Sequence, residues 1–314
     1  MSLSLGPVLH LGRAEVRVGT CSWTDATLVK ETDWYPRKSM KAAERLAYYA
    51  ARYPIVEVDS TYYFPPTPEL AASWVERTPD DFVMNVKAWS LLTGHPTFPH
   101  SLWEDLQPHV LPEFRDKRNL YLKHLPPEVV DESWDRFRHA LMPLHSSGKL
   151  GAVLFQYPEW FGPKESNRDV VLAAQSRLGA DMRMCIEFRN GRWLAPDECE
   201  RTLSFLEDNG LAFVCVDEPQ GFASSMPPVV AATAELAVVR FHGRNTETWE
   251  KKGISAAERF AYDYSTSELS EWAPKIEALA SSAAEVQVLM NNCYRDFAVN
   301  NAAELMSLLA QEAE

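Results

Sequence analysis

The chain of 314 residues has few cysteines, few cations and no long apolar run, and each shortage excludes a class of protein. Its five cysteines (Cys21, Cys185, Cys199, Cys215, Cys293) are odd in number, widely spaced and without a C-x-x-C pair. That excludes a disulfide framework and a closed thiolate zinc site, and reads as reduced, buried thiols. Lys and Arg number 31 against 44 Asp and Glu, a formal net charge of −13. Such a balance repels phosphate backbones and anionic lipid heads, so nucleic acid and membrane surfaces are not expected partners. No stretch approaches the ~20 apolar residues of a membrane span. Met1 to Leu11 lacks the basic and apolar pattern of a signal peptide, so a cytoplasmic location is expected. No G-x-G-x-x-G, P-loop or G-x-S-x-G motif occurs, Ser22-Trp23 included, and dinucleotide, nucleotide and serine-hydrolase readings lose their signatures. What is present is ordinary for a folded enzyme, with 46% apolar and 24% charged residues.

Strand-like apolar runs recur at 16–21, 55–59, 82–87, 150–156, 184–188, 211–217, 236–242 and 285–291. Helix-period segments lie between them at 39–52, 68–77, 129–146, 165–178, 196–209 and 267–281, with another at 300–311. Only the sixth connection lacks a helical pattern. Eight alternating units predict α/β architecture, a single (β/α)8 TIM-like barrel over 1–314 with its core at about 16–311, in which no sheet edge stays open. Ser267 is the expected cap of the helix it begins, and Asn209-Gly210 the stop of another. The connections after the third and seventh strands, 90–128 and 243–266, are long and rich in aromatic, His and charged residues, as lids are.

Side chains alternate along a strand, so one parity faces the lumen of a barrel. Polar residues keep choosing one parity: Arg17; Glu57 and Asp59; Asn85 and Lys87; Gln156; Glu187 and Arg189; Asp217; Arg240 and His242; Asn291. Barrel active sites lie at the C-terminal strand ends. The rim members are therefore the candidate site, while Arg17, Glu57 and Asn85, set deeper, are assigned to structure. Four weaker signals are read as bland: His95, His100, His109 and His124 match no zinc spacing and are expected in solvent. Trp23, Trp34, Tyr62, Tyr63 and Trp193 follow strand ends, where they serve either stacking on a sugar or base or packing between barrel and loops.

The strand-end tracts Val18-Gly19-Thr20-Cys21-Ser22-Trp23, Val56-Glu57-Val58-Asp59-Ser60-Thr61-Tyr62-Tyr63, Phe155-Gln156-Tyr157-Pro158, Ile186-Glu187-Phe188-Arg189 and Val239-Arg240-Phe241-His242-Gly243 carry a resemblance. Together with Asn291-Asn292 and Ala298-Val299-Asn300-Asn301-Ala302, they make the chain similar to the YecE-like family of TIM-barrel proteins, the domain of unknown function seventy-two. The resemblance implies the barrel and supports the rim as the site, but it brings no reaction or cofactor. The family pattern has Asn, His and Arg where this chain has Asp59, Asn190 and Phe64.

The leading expectation is an enzyme acting by acid/base chemistry on a small anionic, phosphorylated or carboxylated, carbohydrate-like metabolite. Glu187, Lys87, His242 and Asp59 are the expected catalytic groups. Arg189, Arg240, Arg244, Gln156, Asp217, Asn291, Asn292 and Tyr62 are expected to bind substrate, since loops after the last two strands often hold phosphate. Glu187 would be acid or base according to whether burial or the cations dominate its pKa. Lys87 is also a Schiff-base candidate and His242 a proton shuttle. Three alternatives stay open: glycoside hydrolysis by Asp59 with Glu187, a metal-dependent hydrolase or isomerase using Glu187, Asp217 and His242, and a barrel that binds or senses an anion without transforming it. No metal site is expected in the leading reading, and oligomeric state is not legible in the sequence.

Overall fold

The computed structural model describes residues 4–312. A short β1 (Leu9–Leu11) precedes eight parallel strands: β2 (Ala14–Thr20), β3 (Ile55–Val58), β4 (Val83–Lys87), β5 (Leu150–Tyr157), β6 (Met184–Phe188), β7 (Ala212–Asp217), β8 (Leu236–Phe241) and β9 (Glu285–Met290). They follow one another in the sheet, and β9 returns to pair with β2 from Glu15↔Glu285 to Thr20↔Met290, which closes the predicted barrel. β3 meets β2 only at Thr20↔Val56, so the lower edge of β2 would be exposed. The antiparallel β1 covers it, pairing Leu9↔Val16 through Leu11↔Ala14, an addition too short at three residues to announce itself in the sequence.

The helices are α1 (Ala26–Glu31), α2 (Ala42–Ala50), α3 (Pro68–Glu76), α4 (Pro127–Ser146), α5 (Glu165–Leu178), α6 (Cys199–Asp208), α7 (Ala256–Arg259), α8 (Thr266–Ser270), α9 (Ala273–Ser282) and α10 (Phe297–Glu312). The helix expected over 267–281 is two helices, because Pro274 in the first turn of α9 cannot continue the hydrogen bonding of α8. Its cap is Ser265 and not Ser267: Ser265 and Glu268 satisfy each other's backbone amides in a capping box. The sixth connection is helix-free as expected. Its return segment lies along β7, where Thr233 Oγ1 accepts from Phe213 N at 2.9 Å and donates to Leu211 O at 2.6 Å. A cavity of about 670 Å³, lined by Gln175, Met182, Ala212 and Ala234 among others, lies at the N-terminal strand ends on this side.

Lumen parity holds on most strands. Registered neighbours Glu57↔Asn85 and Gln156↔Glu187 share a face. Asn85 Nδ2 reaches across the lumen to Gln287 Oε1 at 2.7 Å, and its Oδ1 accepts from Ala152 N at 2.9 Å, spanning the register shift between β4 and β5. Arg17, ion-paired with Glu15 at 2.5 Å and with Glu285 at 3.5 Å, stays at the N-terminal end in its expected structural role.

Parity fails on β7. Cys185 pairs with Ala212 and Val216 with Arg240, so Ala212, Val214 and Val216 face the lumen while Cys215 and Asp217 face the helices. The strand is buried on both faces, as parallel strands are, and its apolar run contains no alternation to set the phase. Crossing the strand end restores an inward carboxylate at Glu218, one residue later than predicted.

Gly19 stands where β2 and β3 approach most closely: a Cβ there would lie 2.0 Å from Ile55 O, a backbone atom with no freedom to move aside. Gly19→Ala is expected to cost about 3 kcal/mol through overpacking. Urea unfolding checks this, as a lower midpoint at unchanged slope.

Candidate active site at the barrel mouth

Arg240, wholly buried on β8, organises the lumen. Its Nη1 donates to Glu187 Oε2 and its Nη2 to Glu57 Oε1, both at 2.5 Å, so one planar guanidinium bridges β6 and β3 through the barrel axis. The same Nη2 is 3.6 Å from Cys21 Sγ and 3.7 Å from Asp59 Oδ1. Burial opposes the charge on Arg240, but Glu187 and Glu57 outweigh it and hold the guanidinium ionised.

Glu187 has its remaining oxygen filled as well. Oε1 accepts from Gln156 Nε2 at 2.6 Å, His242 Nε2 at 3.1 Å and Arg189 Nη1 at 3.3 Å. Burial would raise its pKa; the neighbouring cations, Arg240 first, reverse this and hold the carboxyl well below the usual range. Enclosed, held ionised and already accepting from four donors, Glu187 is an anchor. Burial drives His242 down to about 4. The neutral ring fits its partners: Nδ1 takes a hydrogen from Asn291 Nδ2 at 2.8 Å, and Nε2 gives one to Glu187.

Glu57, assigned to structure on depth, behaves differently. Burial and the nearby Asp59 charge push it up to about 8, against Arg240 and Lys87. Its Oε2 and Asp59 Oδ1 are both buried without another hydrogen-bond partner. Two carboxylate oxygens cannot satisfy each other, but a proton on Glu57 allows a hydrogen bond to Asp59, and that bond is among the causes of the shift. Sequence reasoning missed this because depth was judged strand by strand; the signal available was the E-x-D spacing, which puts two carboxylates on one face.

The mouth itself holds the groups with unspent capacity. The chain turns into a 3-10 helix at Asp59–Tyr62 directly after β3, which lifts Asp59 into partial exposure. Lys87, the last residue of β4, brings Nζ to 3.5 Å from Asp59 Oδ1 and 5.0 Å from the Tyr62 ring centroid. Arg189 spends Nη1 on Glu187 and on Glu218 Oε2 at 2.6 Å, and its guanidinium lies over the Trp249 ring at 5.2 Å. Beside it a cavity of about 430 Å³ is lined by Glu159, Ser224, Trp249 and Arg259. Glu218, raised by burial, also accepts from Met226 N at 2.7 Å.

Three expected binding residues lie elsewhere. Asp217, outward on β7, accepts from Tyr264 Oη at 2.6 Å, Trp272 Nε1 at 2.7 Å and Arg244 Nη2 at 2.8 Å. Arg244 thereby spends Nε and Nη2 on Asp217 and on Glu271 at 2.9 Å, and its Nη1 lies 3.7 Å from Glu268 Oε1. Asn292 donates to Tyr262 O and Asn301 Oδ1, both at 2.8 Å. These three fasten the β8 and β9 loops to α8, α9 and α10 instead of facing a ligand, so the metal set of Glu187, Asp217 and His242 does not assemble. Among the described residues, Cys21, Glu57 and Asp59 place possible ligand atoms within 4.8 Å of one another. Arg240 Nη2 already supplies the positive charge at that position, and a divalent ion would meet it at contact distance.

Of the aromatic residues, Trp23, Trp34 and Trp193 pack between barrel and helices, Trp193 stacked on Phe188 at 4.1 Å. Tyr62 and Tyr63 remain at the mouth. His124 is buried against Phe114, ring centroids 4.0 Å apart, and His95 is largely enclosed beside Tyr62, so neither is the solvated histidine expected.

Stability should carry the signature of these groups. Glu57, raised to about 8, contributes stability that is complete below its unfolded pKa and lost as pH rises through 8. His242, lowered to about 4, contributes stability present above its unfolded pKa of roughly 6.5 and lost as pH falls toward 4. The two oppose each other at mildly acidic pH, leaving Glu57 alone above it. Between roughly pH 6.5 and 8 the unfolding free energy should fall by up to about 1.4 kcal/mol per pH unit, and Glu57→Gln should flatten that slope, as measured by urea titrations across the interval. Arg240→Met, which strands the buried Glu187 carboxylate and takes the only donor from Glu57, should cost about 3–5 kcal/mol at pH 7 and less at pH 5.

Among the described residues, no helix is long and apolar enough to cross a membrane. The model of a family described as "Protein of unknown function DUF72" matches residues 17–314. The UPF0759 protein YunF of Bacillus subtilis strain 168 is 32% identical over 298 residues, 94% of each chain. The crystal structure of EF0366 from Enterococcus faecalis V583, a DUF72 protein, is similar at TM-score 0.74 and 26% identity, covering 94% of this chain and 95% of that one. TM1631 of Thermotoga maritima MSB8, also described as DUF72, reaches TM-score 0.72 and 27% identity over 94% and 99% of the two chains. With the closed barrel, its charged lumen and a family match over nearly the whole length, the chain belongs to the DUF72 family.

Proposed function

We propose that the protein is an enzyme that moves a proton on a small carboxylated or phosphorylated metabolite bound at the C-terminal mouth. The observation that carries this is the stack Lys87–Asp59–Glu57–Arg240: a partly exposed carboxylate beside a cation, resting on a buried acid that holds a proton near neutral pH. Asp59 is the group that reaches substrate. It takes a proton from the substrate on its outer oxygen and returns it to another atom of the same substrate, while Glu57 below keeps its own proton in a hydrogen bond to Asp59 and steadies the Asp59 charge between the two transfers.

Lys87 and Arg189 hold the anion. Lys87 Nζ has a carboxylate at ion-pair distance but no hydrogen-bond acceptor, and Arg189 keeps Nε and Nη2 uncommitted. Arg240 is wholly buried with both Nη groups on carboxylates, and Arg244 spends Nε and Nη2 on Asp217 and Glu271 with Nη1 3.7 Å from Glu268, so neither is assigned to the anion. The anion therefore docks over the middle strands and not at the loops after the last two. Gln156 orients Glu187, which with His242 and Asn291 keeps Arg240 in plane; these are positioning residues.

A thermal-shift screen of sugar phosphates, sugar acids and inorganic phosphate is the first test, since a ligand stabilises by RT ln(1 + [L]/Kd). A compound that raises Tm in the natural protein should lose its effect in Lys87→Gln. Asp59→Asn should retain binding and lower kcat roughly 10²–10⁴-fold. Binding without turnover in the natural protein would mark a sensing barrel, and no shift with any anion would end the proposal.

A further inference from the structure

We infer that the mouth continues into a carbohydrate subsite, an aromatic bank that receives the sugar rings of an acidic oligosaccharide. The inference rests on the anion site just proposed and names the class of molecule that carries the anion. Few large apolar side chains are exposed, and four of them belong to one region: Tyr63 at 53%, Phe64 at 51%, Phe98 at 48% and Trp160 at 64% exposure. They come from the segments that follow β3, β4 and β5, three adjacent strands, so the barrel itself assembles them.

The rings form a wall from Tyr63 to Trp160 and a second cluster around His100. Tyr63 meets Tyr62 edge-on at 5.1 Å, Tyr62 meets His95 at 5.3 Å, and His95 meets Trp160 at 6.0 Å. Phe64 and Phe98 both lean on His100, at 5.6 and 5.3 Å. The wall begins at the catalytic mouth, because Lys87 Nζ lies 5.0 Å from the centroid of Tyr62. Thr93 Oγ1 fixes His95 through Nδ1 at 2.8 Å, and burial beside Lys87 lowers His95 to about 4, so this ring is uncharged at neutral pH.

Rings held on edge by their neighbours and open on one face are suited to the apolar C–H face of a pyranose, whose hydroxyls point aside into water. The span from Tyr62 to Trp160 passes over more than one ring, which suits an oligomer better than a single sugar. Lys87 and Arg189 stand at the inner end, so the acidic group enters there and the rest of the chain lies along the aromatics. A polynucleotide would also stack, but its repeated phosphates would meet a protein of net charge −13.

The test titrates the natural protein with trisaccharides that carry one terminal uronic acid (galacturonate, mannuronate or glucuronate) on two neutral sugars, the corresponding uronic-acid monomers, neutral cellotriose and a nucleoside monophosphate, following tryptophan fluorescence and calorimetry. At least one acidic trisaccharide should bind roughly tenfold tighter than its monomer, and Trp160→Ala should abolish that advantage while Trp160→Tyr keeps most of it. Lys87→Gln should weaken monomer and trimer equally. If trimer and monomer bind alike, or Trp160→Ala changes nothing while Lys87→Gln abolishes binding, the subsite is refuted and the anion site stands. If Trp160→Ala weakens binding and Lys87→Gln does not, the anion site fails instead. Binding of the nucleotide alone, or of no member of the panel, overturns the inference.

Discussion

One guanidinium in the centre of a barrel sets the terms for everything above it. Arg240 is the single cation that touches Glu57, Glu187, Cys21 and Asp59, and it does so where no water competes. A buried charge is tolerable only when partners with good geometry surround it. Here the partners come from strands on opposite sides of the lumen, so the ion pairs also hold the barrel's cross-section. The asymmetry of the two carboxylates follows. Glu187 receives three further donors and stays ionised; Glu57 receives only Arg240, lies beside another carboxylate, and keeps a proton.

That difference separates support from chemistry. Glu187 sits at the centre and looks, by position, like the catalytic carboxylate, yet its oxygens are all engaged. Asp59 is the peripheral one, held by two long ion pairs, to Lys87 and Arg240, and partly open to the mouth. Natural barrels usually fill this space with branched apolar side chains. Replacing them with a linked set of ions costs stability, and a mouth with uncommitted donors on Lys87 and Arg189 is what the arrangement obtains in return.

Much of the architecture was legible in advance. The eight strands and the helix-free sixth connection follow from periods of two and of about 3.6 residues, signals that local sequence carries directly. The lumen residues on β3, β4, β5, β6, β8 and β9 were legible for the same reason, since polar and apolar residues alternate there. Asp217 was misplaced because β7 is apolar on both faces and its pleat has no written phase. Its true inward carboxylate, Glu218, is adjacent in sequence and opposite in space. Arg244 and Asn292 carried the right chemistry at the right strand ends, and only the packing of α8, α9 and α10 shows that Asp217, Glu271 and Asn301 engage them.

By itself the sequence determined the barrel, the polarity of its interior and the family, because each depends on patterns repeated along the chain. Tertiary structure decided which charges neutralise one another and which remain for a ligand. Those outcomes depend on distances of a few ångströms between side chains more than a hundred residues apart, such as Arg240 and Glu57, and no local pattern encodes them. The same holds for the aromatic wall: Tyr62, His95 and Trp160 are ordinary loop residues until three neighbouring strands bring their ends together.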